Sequence, residues 1–127
     1  MRKSIPLVVI LSTLFAAAAA QAEEWPSRLI KATIPFGAGS AADVVPRVVL
    51  DRLSGELGQS IVIENRAGAG GSLGTAMVTK ADPDGYSILA TSSALTIVPA
   101  IFPDLTFDAT KDLASVLMIG SDRKSVV

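Results

Sequence analysis

Three short segments of the chain combine glycine with other small residues, and each follows an apolar run. They are residues 37–40 (Gly-Ala-Gly-Ser), residues 65–71 (Asn-Arg-Ala-Gly-Ala-Gly-Gly) and residues 91–93 (Thr-Ser-Ser). Glycine-rich loops that open helices leave backbone N–H groups unpaired, let a ligand approach closely, and lie at the positive end of the helix dipole. The pattern is therefore suited to binding a small anion.

Individual side chains near these segments have both a structural and a functional interpretation. Ser40, with Asp43 three residues later, fits a capping box, so Ser40 either caps a helix or contacts a ligand. Asp43 would repel an anion, and we interpret it as a brace for the loop or the helix terminus. Arg66 could grip a carboxylate with two hydrogen bonds, but a role as a surface or strand-bracing residue is favoured. Residues 91–93 offer hydroxyls or merely form a turn.

The composition excludes several kinds of chemistry. The chain has neither Cys nor His, so it lacks a disulfide, a thiolate metal site, a thiol nucleophile and the usual general base. The glycines of residues 68–74 do not fit G-x-G-x-x-G, no phosphate-loop lysine is present, and no G-x-S-x-G elbow occurs. A net charge of −1 and 5% aromatic residues disfavour nucleic-acid binding. We expect no cofactor, no metal and no catalysis.

The N-terminal segment predicts export. A basic start at Arg2 and Lys3 precedes an apolar run from Ile5 to Ala20, and Ala20-Gln21-Ala22 supplies small residues before a cleavage point. A retained membrane anchor is the alternative, but the run is shorter than the roughly 20 residues that span a bilayer. We expect residues 1–22 to be a cleaved signal peptide. The exported remainder, residues 23–127, would carry nine basic and twelve acidic residues, a net charge of −3.

Strand and helix signals alternate along the rest of the chain. Strands are predicted at residues 28–36, 60–64 and 86–90, and helices from Ala42 to Leu57, ended by Gly58, and from Ser72 to about Lys80. This order indicates an α/β fold with a parallel sheet. Ligands of such sheets bind beyond the carboxyl ends of the strands, so the three loops should lie along one edge. A fourth strand is predicted at residues 113–119.

Two packing expectations accompany these elements. The apolar face of the first helix is expected to contain the residues with helical spacing, which are Ala42, Val45, Val49 and Leu53, widened by Val48, Leu50 and Leu57. The aromatic residues Trp25 and Tyr86 are interpreted as packing residues rather than as ligand platforms.

Several motifs occur in the order and spacing of one receptor family. They are Trp25 to Arg28, Ile34-Pro35-Phe36 with Gly39, Asp43 and Arg47, Glu64 to Gly71, Ala81 to Tyr86, and Phe107 to Leu113. Over residues 25–120 the chain resembles the substrate-binding proteins of tripartite tricarboxylate transporters, the TctC or Bug family. The resemblance implies the N-terminal lobe of a type II periplasmic-binding-protein (Venus-flytrap) fold, a parallel sheet with helices on both faces.

The same resemblance implies a function and a set of site residues. Such a receptor captures a small carboxylate, a dicarboxylate, tricarboxylate or related compound, and delivers it to the membrane subunits of the transporter; we expect it to be a monomer. Carried over by position, the ligand-binding residues are Phe36, Gly39, Ser40, Gly68, Gly70, Gly71, Ser72, Thr91, Ser92 and Ser93.

The chain departs from the family pattern in several places. Ser40 stands where the family has a second glycine, Pro46 where it usually has alanine, and Ala67 where it has proline. Family members also continue well beyond residue 127. We therefore expect residues 23–112 to form the first-lobe portion and residues 113–127 to begin the crossover to a second lobe, in an incomplete and poorly stable receptor. The alternatives are a small exported nucleotide-binding or hydrolytic α/β domain, and a nonfunctional gene remnant.

Overall fold

The computed structural model describes residues 24–121, so the signal peptide proposed for residues 1–22 lies outside the described residues. The strands are β1 (Ile30–Ile34), β2 (Ile61–Asn65) and β3 (Ser87–Leu89). The helices are α1 (Ala41–Leu57), α2 (Ser72–Thr79), α3 (Ala94–Ile101) and α4 (Ala109–Asp112), and a 3-10 turn at Ala69–Gly71 precedes α2. Within residues 24–121, no helix has the length and apolar character needed to cross a bilayer.

The three strands form one parallel sheet in the order β2-β1-β3. In the register of this sheet, Ala32 of β1 lies between Ile63 of β2 and Ile88 of β3. The fully buried Ala32 and Ile34 form the core with Leu50 of α1. Thr33 points to the opposite face, where it is also buried, and α2 contacts β1 and β3. The α/β fold with helices on both faces of a parallel sheet is confirmed.

Helix α1 has the expected limits, and its buried face is the expected one only in part, since Leu50 and Leu53 pack in or against the core as predicted. Gly58 ends it in the left-handed conformation, with φ of 64°. The buried side chains of α1 are Asp43, Pro46 and Leu50, which recur at helical spacing. Val45 and Val48, which the sequence pattern placed on the apolar face, are 52% and 68% exposed. The sheet therefore meets a stripe that includes an acidic residue and a proline, which a hydrophobicity pattern cannot identify.

Pro46 lies inside α1, and the helix still begins at Ala41. Proline has no N–H, so the hydrogen bond that residue 46 would donate to the carbonyl of Ala42 is missing. The ring of Pro46 is buried on the covered face of the helix.

Two further sequence predictions need correction. Residues 94–101 form helix α3, which the sequence did not predict because Pro99 and the β-branched residues around it weaken the helical signal. The predicted strand at residues 113–119 is wrong: residues 113–121 have no regular secondary structure, and the side chain of Val116 is 88% exposed. β-Propensity reports packing against neighbouring strands, and this apolar run has no such neighbour in the described structure.

The chain before β1 is held against the turn that precedes β3. Arg28 pairs with Asp84 and lies 4.2 Å from the centre of the Tyr86 ring. The rings of Trp25 and Tyr86 are 6.2 Å apart and tilted by 55°, a favourable arrangement for an aromatic pair. The two rings therefore contact each other, and Trp25 remains 51% exposed.

Helix α2 approaches the end of β1 closely at Gly74. A Cβ atom at this position would lie 2.8 Å from the carbonyl oxygen of Arg66 and 2.9 Å from Cβ of Pro35. Both neighbours belong to the backbone or to a rigid ring and cannot move aside at low cost. The absence of a side chain at residue 74 therefore sets the distance between α2 and the sheet.

Gly74→Ala should destabilise the protein by about 1–3 kcal/mol, because the added methyl overpacks this contact. Gly55→Ala is the matched control. Gly55 lies exposed in α1, and a Cβ atom added at Gly55 would have no heavy atom of a neighbouring group within 4 Å. That control should be neutral or more stable by up to about 1 kcal/mol. Urea unfolding of the 127-residue chain measures both. Equal unfolding midpoints for the two variants would contradict the close packing.

Candidate functional site

The three small-residue loops lie along one edge of the sheet. All strands are parallel, so the loops that follow β1, β2 and β3 leave from their shared carboxyl edge. Two hydrogen bonds mark the points of departure: Arg66 N–H donates to the carbonyl of Ile34, and Ala90 N–H donates to that of Thr33. The convergence predicted from the order of strands and helices is confirmed.

The loop after β2 is shaped by consecutive residues with positive φ. These angles are 144° at Gly68, 46° at Ala69, 66° at Gly70 and 97° at Gly71. Glycine adopts them at little cost, whereas Ala69 is strained. The Gly71 N–H donates to the carbonyl of Gly68, and the Thr75 hydroxyl donates to the carbonyl of Gly71 at 2.9 Å. The loop is thereby held in a tight turn at the start of α2.

A narrow surface groove, too tight to enclose a water molecule, lies between this loop and the loop after β3. Four of the residues predicted to bind ligand line it, namely Gly70, Gly71, Ser72 and Thr91. The other lining residues were missed, and they are Thr75, Leu95, Val98 and Phe107. Thr75 falls three residues after Ser72 and so on the same helix face, a signal that the sequence does carry. Leu95 and Val98 belong to α3, so missing that helix meant missing them.

The remaining predicted residues do not line this groove. In the loop after β3, the Ser92 hydroxyl accepts a hydrogen bond from Ala94 N–H, and the carbonyls of Ser92 and Ser93 accept from the N–H groups of Leu95 and Thr96. Both serines therefore form the turn that opens α3, which is one of the two roles considered for residues 91–93 from the sequence. Their side chains are exposed on the same edge.

The loop after β1 is fixed by the side chain of Asp43. Its carboxylate accepts hydrogen bonds from Gly39 N–H at 2.8 Å, from Arg47 Nε at 2.9 Å and from Asn65 Nδ2 at 2.8 Å. The bracing interpretation of Asp43 is confirmed. Sequence reasoning did not identify Asn65 as a partner, because it lies 22 residues away and meets Asp43 only through the pairing of β1 with β2.

Ser40 does not act as a side-chain cap. It occupies the N-cap position of α1, but its hydroxyl donates to the carbonyl of Gly37 at 2.8 Å and accepts nothing from the helix. Asp43 accepts from Gly39 N–H instead of Ser40 N–H, one residue earlier than in a capping box. The predicted capping box is wrong, because the positive φ of Gly39 turns that N–H toward the carboxylate.

Several N–H groups along this edge donate no hydrogen bond to any described residue. In the first loop they belong to Gly37 and Ala38, since Gly39 N–H binds Asp43 and Ser40 N–H points to the carbonyl of Gly37. The corresponding groups of the other loops are those of residues 67–70 and 91–93. Such donors suit a carboxylate, which accepts several hydrogen bonds through its two oxygens.

Arg66 is engaged in the sheet surface. Its guanidinium lies 3.0 Å from Glu64, whose other oxygen pairs with Lys31 at 3.1 Å. These contacts lower the pKa of Glu64, with the hydrogen bond from Lys31 as the larger cause and that from Arg66 second. The strand-bracing interpretation of Arg66 is confirmed. Within residues 24–121 no group of three or more acidic side chains is placed to hold a metal ion.

Comparison with known proteins gives a family match over most of the chain. Residues 45–127 match the model of the tripartite tricarboxylate transporter family receptor, TctC. The chain belongs to the TctC family. It is also 48% identical, over 99 residues, to a UPF0065 protein of Bordetella bronchiseptica, an alignment that covers 77% of this chain and 30% of that protein.

Solved structures with the same fold include relatives of this TctC chain. One, described as a periplasmic transporter, has 43% identity and a TM-score of 0.63, covering 66% of this chain and 29% of its own. Another, MatC from Rhodopseudomonas palustris with bound malate, has 34% identity and a TM-score of 0.59, covering 69% of this chain and 30% of its own. The TctC chain spans about a third of the length of the relatives it matches.

The environment of Asp43 has a consequence for acid stability. The hydrogen bond from Arg47, followed by those from Asn65 and Gly39, lowers the pKa of Asp43 from 3.8 to about 2. A carboxyl whose pKa is lower in the folded state stabilises the fold above its unfolded pKa. That contribution is lost as the pH falls through the interval from about 4 to about 2.

Asp43→Asn should lower stability at pH 6 and flatten the loss of stability between pH 4 and pH 2, because the variant has no carboxyl to protonate. Asp51→Asn, an exposed position on the same helix, makes the same charge change and should leave that slope as it is in the wild type. Urea unfolding at half-unit pH steps measures the slope. Identical acid profiles for wild type and Asp43→Asn would refute the assignment.

Proposed function

We propose that this chain supplies carboxylate-binding loops of an exported TctC-type solute receptor. The ligand is a small dicarboxylate, tricarboxylate or related compound. The receptor works in the periplasm, without catalysis and as a monomer, and delivers its ligand to the membrane subunits of a tripartite tricarboxylate-type transporter. The signal peptide expected at residues 1–22 supports export.

One observation carries the proposal: three loops on a single sheet edge offer unpaired N–H groups, and the second and third of these loops border a narrow groove. Gly70, Gly71, Ser72 and Thr91 line that groove. Carboxylates suit such a surface, because N–H and O–H donors near helix N-termini stabilise negative charge. The malate bound to MatC, a relative with the same fold, supports the same ligand class.

The ligand-binding residues proposed from the sequence fall into two groups. Gly68, Gly70, Gly71, Ser72 and Thr91–Ser93 remain proposed contacts, through N–H groups or hydroxyls on the second and third loops. For the first loop, the hydrogen bonds of Gly39 and Ser40 favour Gly37 and Ala38 as the donors. Phe36 is half-buried against the core, and its carbonyl accepts from Asn65, so its proposed role is to support the loop.

We also propose the domain division expected from the sequence, with residues 23–112 as the first-lobe portion and residues 113–127 leading away from it. The exposure of Val116, Leu117 and Met118, at 88%, 65% and 78%, supports this division, because these side chains do not pack on the sheet.

Thr91→Val should weaken carboxylate binding roughly tenfold, since a hydrogen bond to a charged group contributes about 1.5–3 kcal/mol. Thr79→Val is the matched control, because the Thr79 hydroxyl bonds to Ala76 at the far end of α2. Amide chemical shifts of the ¹⁵N-labelled chain are followed during titration with malate, succinate, citrate and glycine. Malate, succinate and citrate should shift the signals of residues 67–72 and 91–93, and glycine serves as the comparison compound.

A second sample is used because one lobe alone can bind a carboxylate too weakly to be measured. Here the chain is joined to the following portion of the Bordetella bronchiseptica relative, and heats of binding are measured by calorimetry. If neither sample responds to any carboxylate, the proposed function is wrong. Equal loss of affinity in Thr91→Val and Thr79→Val would show that the groove does not contribute to carboxylate binding.

A further inference from the structure

A buried acidic side chain lies at the sheet edge where the proposed ligand is an anion. Asp43 is only 2% exposed and opens the helix that follows the first loop. A carboxylate near an anion site weakens binding by charge repulsion. Burial of an ionised group is also costly unless it is paired and hydrogen-bonded. Its presence there requires a compensating role.

The hydrogen bonds of Asp43 join three separate parts of the chain. Oδ2 accepts from Gly39 N–H in the first loop, and Oδ1 accepts from Arg47 in α1 and from Asn65 at the end of β2. Asn65 also donates to the carbonyl of Phe36 at 3.0 Å and accepts from Arg47 Nη2 at 2.6 Å. The first loop is thus tied to both the helix and the neighbouring strand.

This network is electrically balanced and fully satisfied. Arg47 carries the opposite charge, and every buried side-chain nitrogen and oxygen of the described residues has a hydrogen-bond partner. The bond from Gly39 fixes the middle of the loop, so Gly37 and Ala38 form a tip whose N–H groups bind no described residue. Preorganised donors of this kind bind an anion without a further ordering cost.

We infer that Asp43 is a positioning residue for carboxylate binding. It does not touch the ligand; it holds residues 37–40 so that the N–H groups of Gly37 and Ala38 stay available at the edge of the sheet, while Arg47 neutralises its charge. The role rests on the proposed function, because it concerns the affinity of that same site.

The Asp43→Asn variant distinguishes two effects of Asp43 on ligand affinity, the positioning of the first loop and the repulsion of an anion by the carboxylate charge. Removing a negative charge beside an anion site should strengthen binding if Asp43 acts only through its field. Asn keeps only one acceptor oxygen for the donors Gly39, Arg47 and Asn65, so the variant cannot hold the loop and the network together, and malate binding should weaken about tenfold, the effect of one charge-assisted hydrogen bond. Malate affinity of the 127-residue chain is measured from amide shifts, and hydrogen exchange of the Gly39 amide reports the loop without any ligand.

Two variants complete the design. Asp51→Asn makes the same charge change on the exposed side of α1, and its affinity should stay within about twofold of wild type because exposed charges are screened. Arg47→Lys keeps the net charge but cannot reach Asp43 and Asn65 together with a planar fork. It should weaken malate binding and speed Gly39 exchange, and it serves as the second test if Asp43→Asn fails to fold.

The outcomes are distinct. Weaker binding together with Gly39 exchange at least about tenfold faster supports the positioning role. Unchanged or tighter binding in Asp43→Asn, or unchanged Gly39 exchange, overturns it. If neither the wild-type chain nor the chain joined to the following portion of the Bordetella bronchiseptica relative binds a carboxylate, the proposed function fails instead, and the exchange of Gly39 still decides whether Asp43 fixes the loop.

Discussion

The parallel pairing of β1 with both neighbouring strands is the constraint on which the other features of this chain depend. β1 is the central strand, and Ile30, Ala32 and Ile34 are fully buried within it. Parallel pairing requires each connection to return across the sheet, so every loop that follows a strand emerges at the same edge. The groove, the unpaired N–H groups and the Asp43 network all follow from this arrangement. A shift of β2 by one residue would separate Asn65 from Asp43 and remove the support of the first loop.

The site is built mainly from backbone, and this explains why its residues are small. A side chain at Gly74 would push α2 away from the sheet, and the turn at Gly68 to Gly71 needs positive φ at each position. The polar side chains near the loops serve two separate purposes. Asp43, Asn65 and Ser40 hold the backbone in place, whereas Ser72 and Thr91 line the groove.

Sequence patterns predicted the structural features that depend on local or repeated residues. They failed for features that depend on contacts between distant parts of the chain. The strands, the helix ending at Gly58 and the shared edge follow from periodicity and from the order of strands and helices. The covered face of α1 followed only in part: Leu50 and Leu53 were predicted on it, whereas Asp43 and Pro46 are buried there for reasons other than hydrophobicity. The strand expected at residues 113–119 was wrong because an apolar run needs a neighbouring strand to pair with. Asn65 as the partner of Asp43 required the register of β1 and β2.

Ser40 shows how a departure from the family pattern is accommodated. Of positions 39 and 40, only the first requires glycine by its geometry: Gly39 has φ of 83°, whereas Ser40 has φ of −71°, which any residue adopts. Its hydroxyl donates back to the carbonyl of Gly37, so the added side chain spans the loop. Because that bond closes the turn around Ala38, Ser40 adds a second restraint to the one from Asp43. The first loop is therefore held at both Gly37 and Gly39, and its tip keeps its donors free of the rest of the described structure.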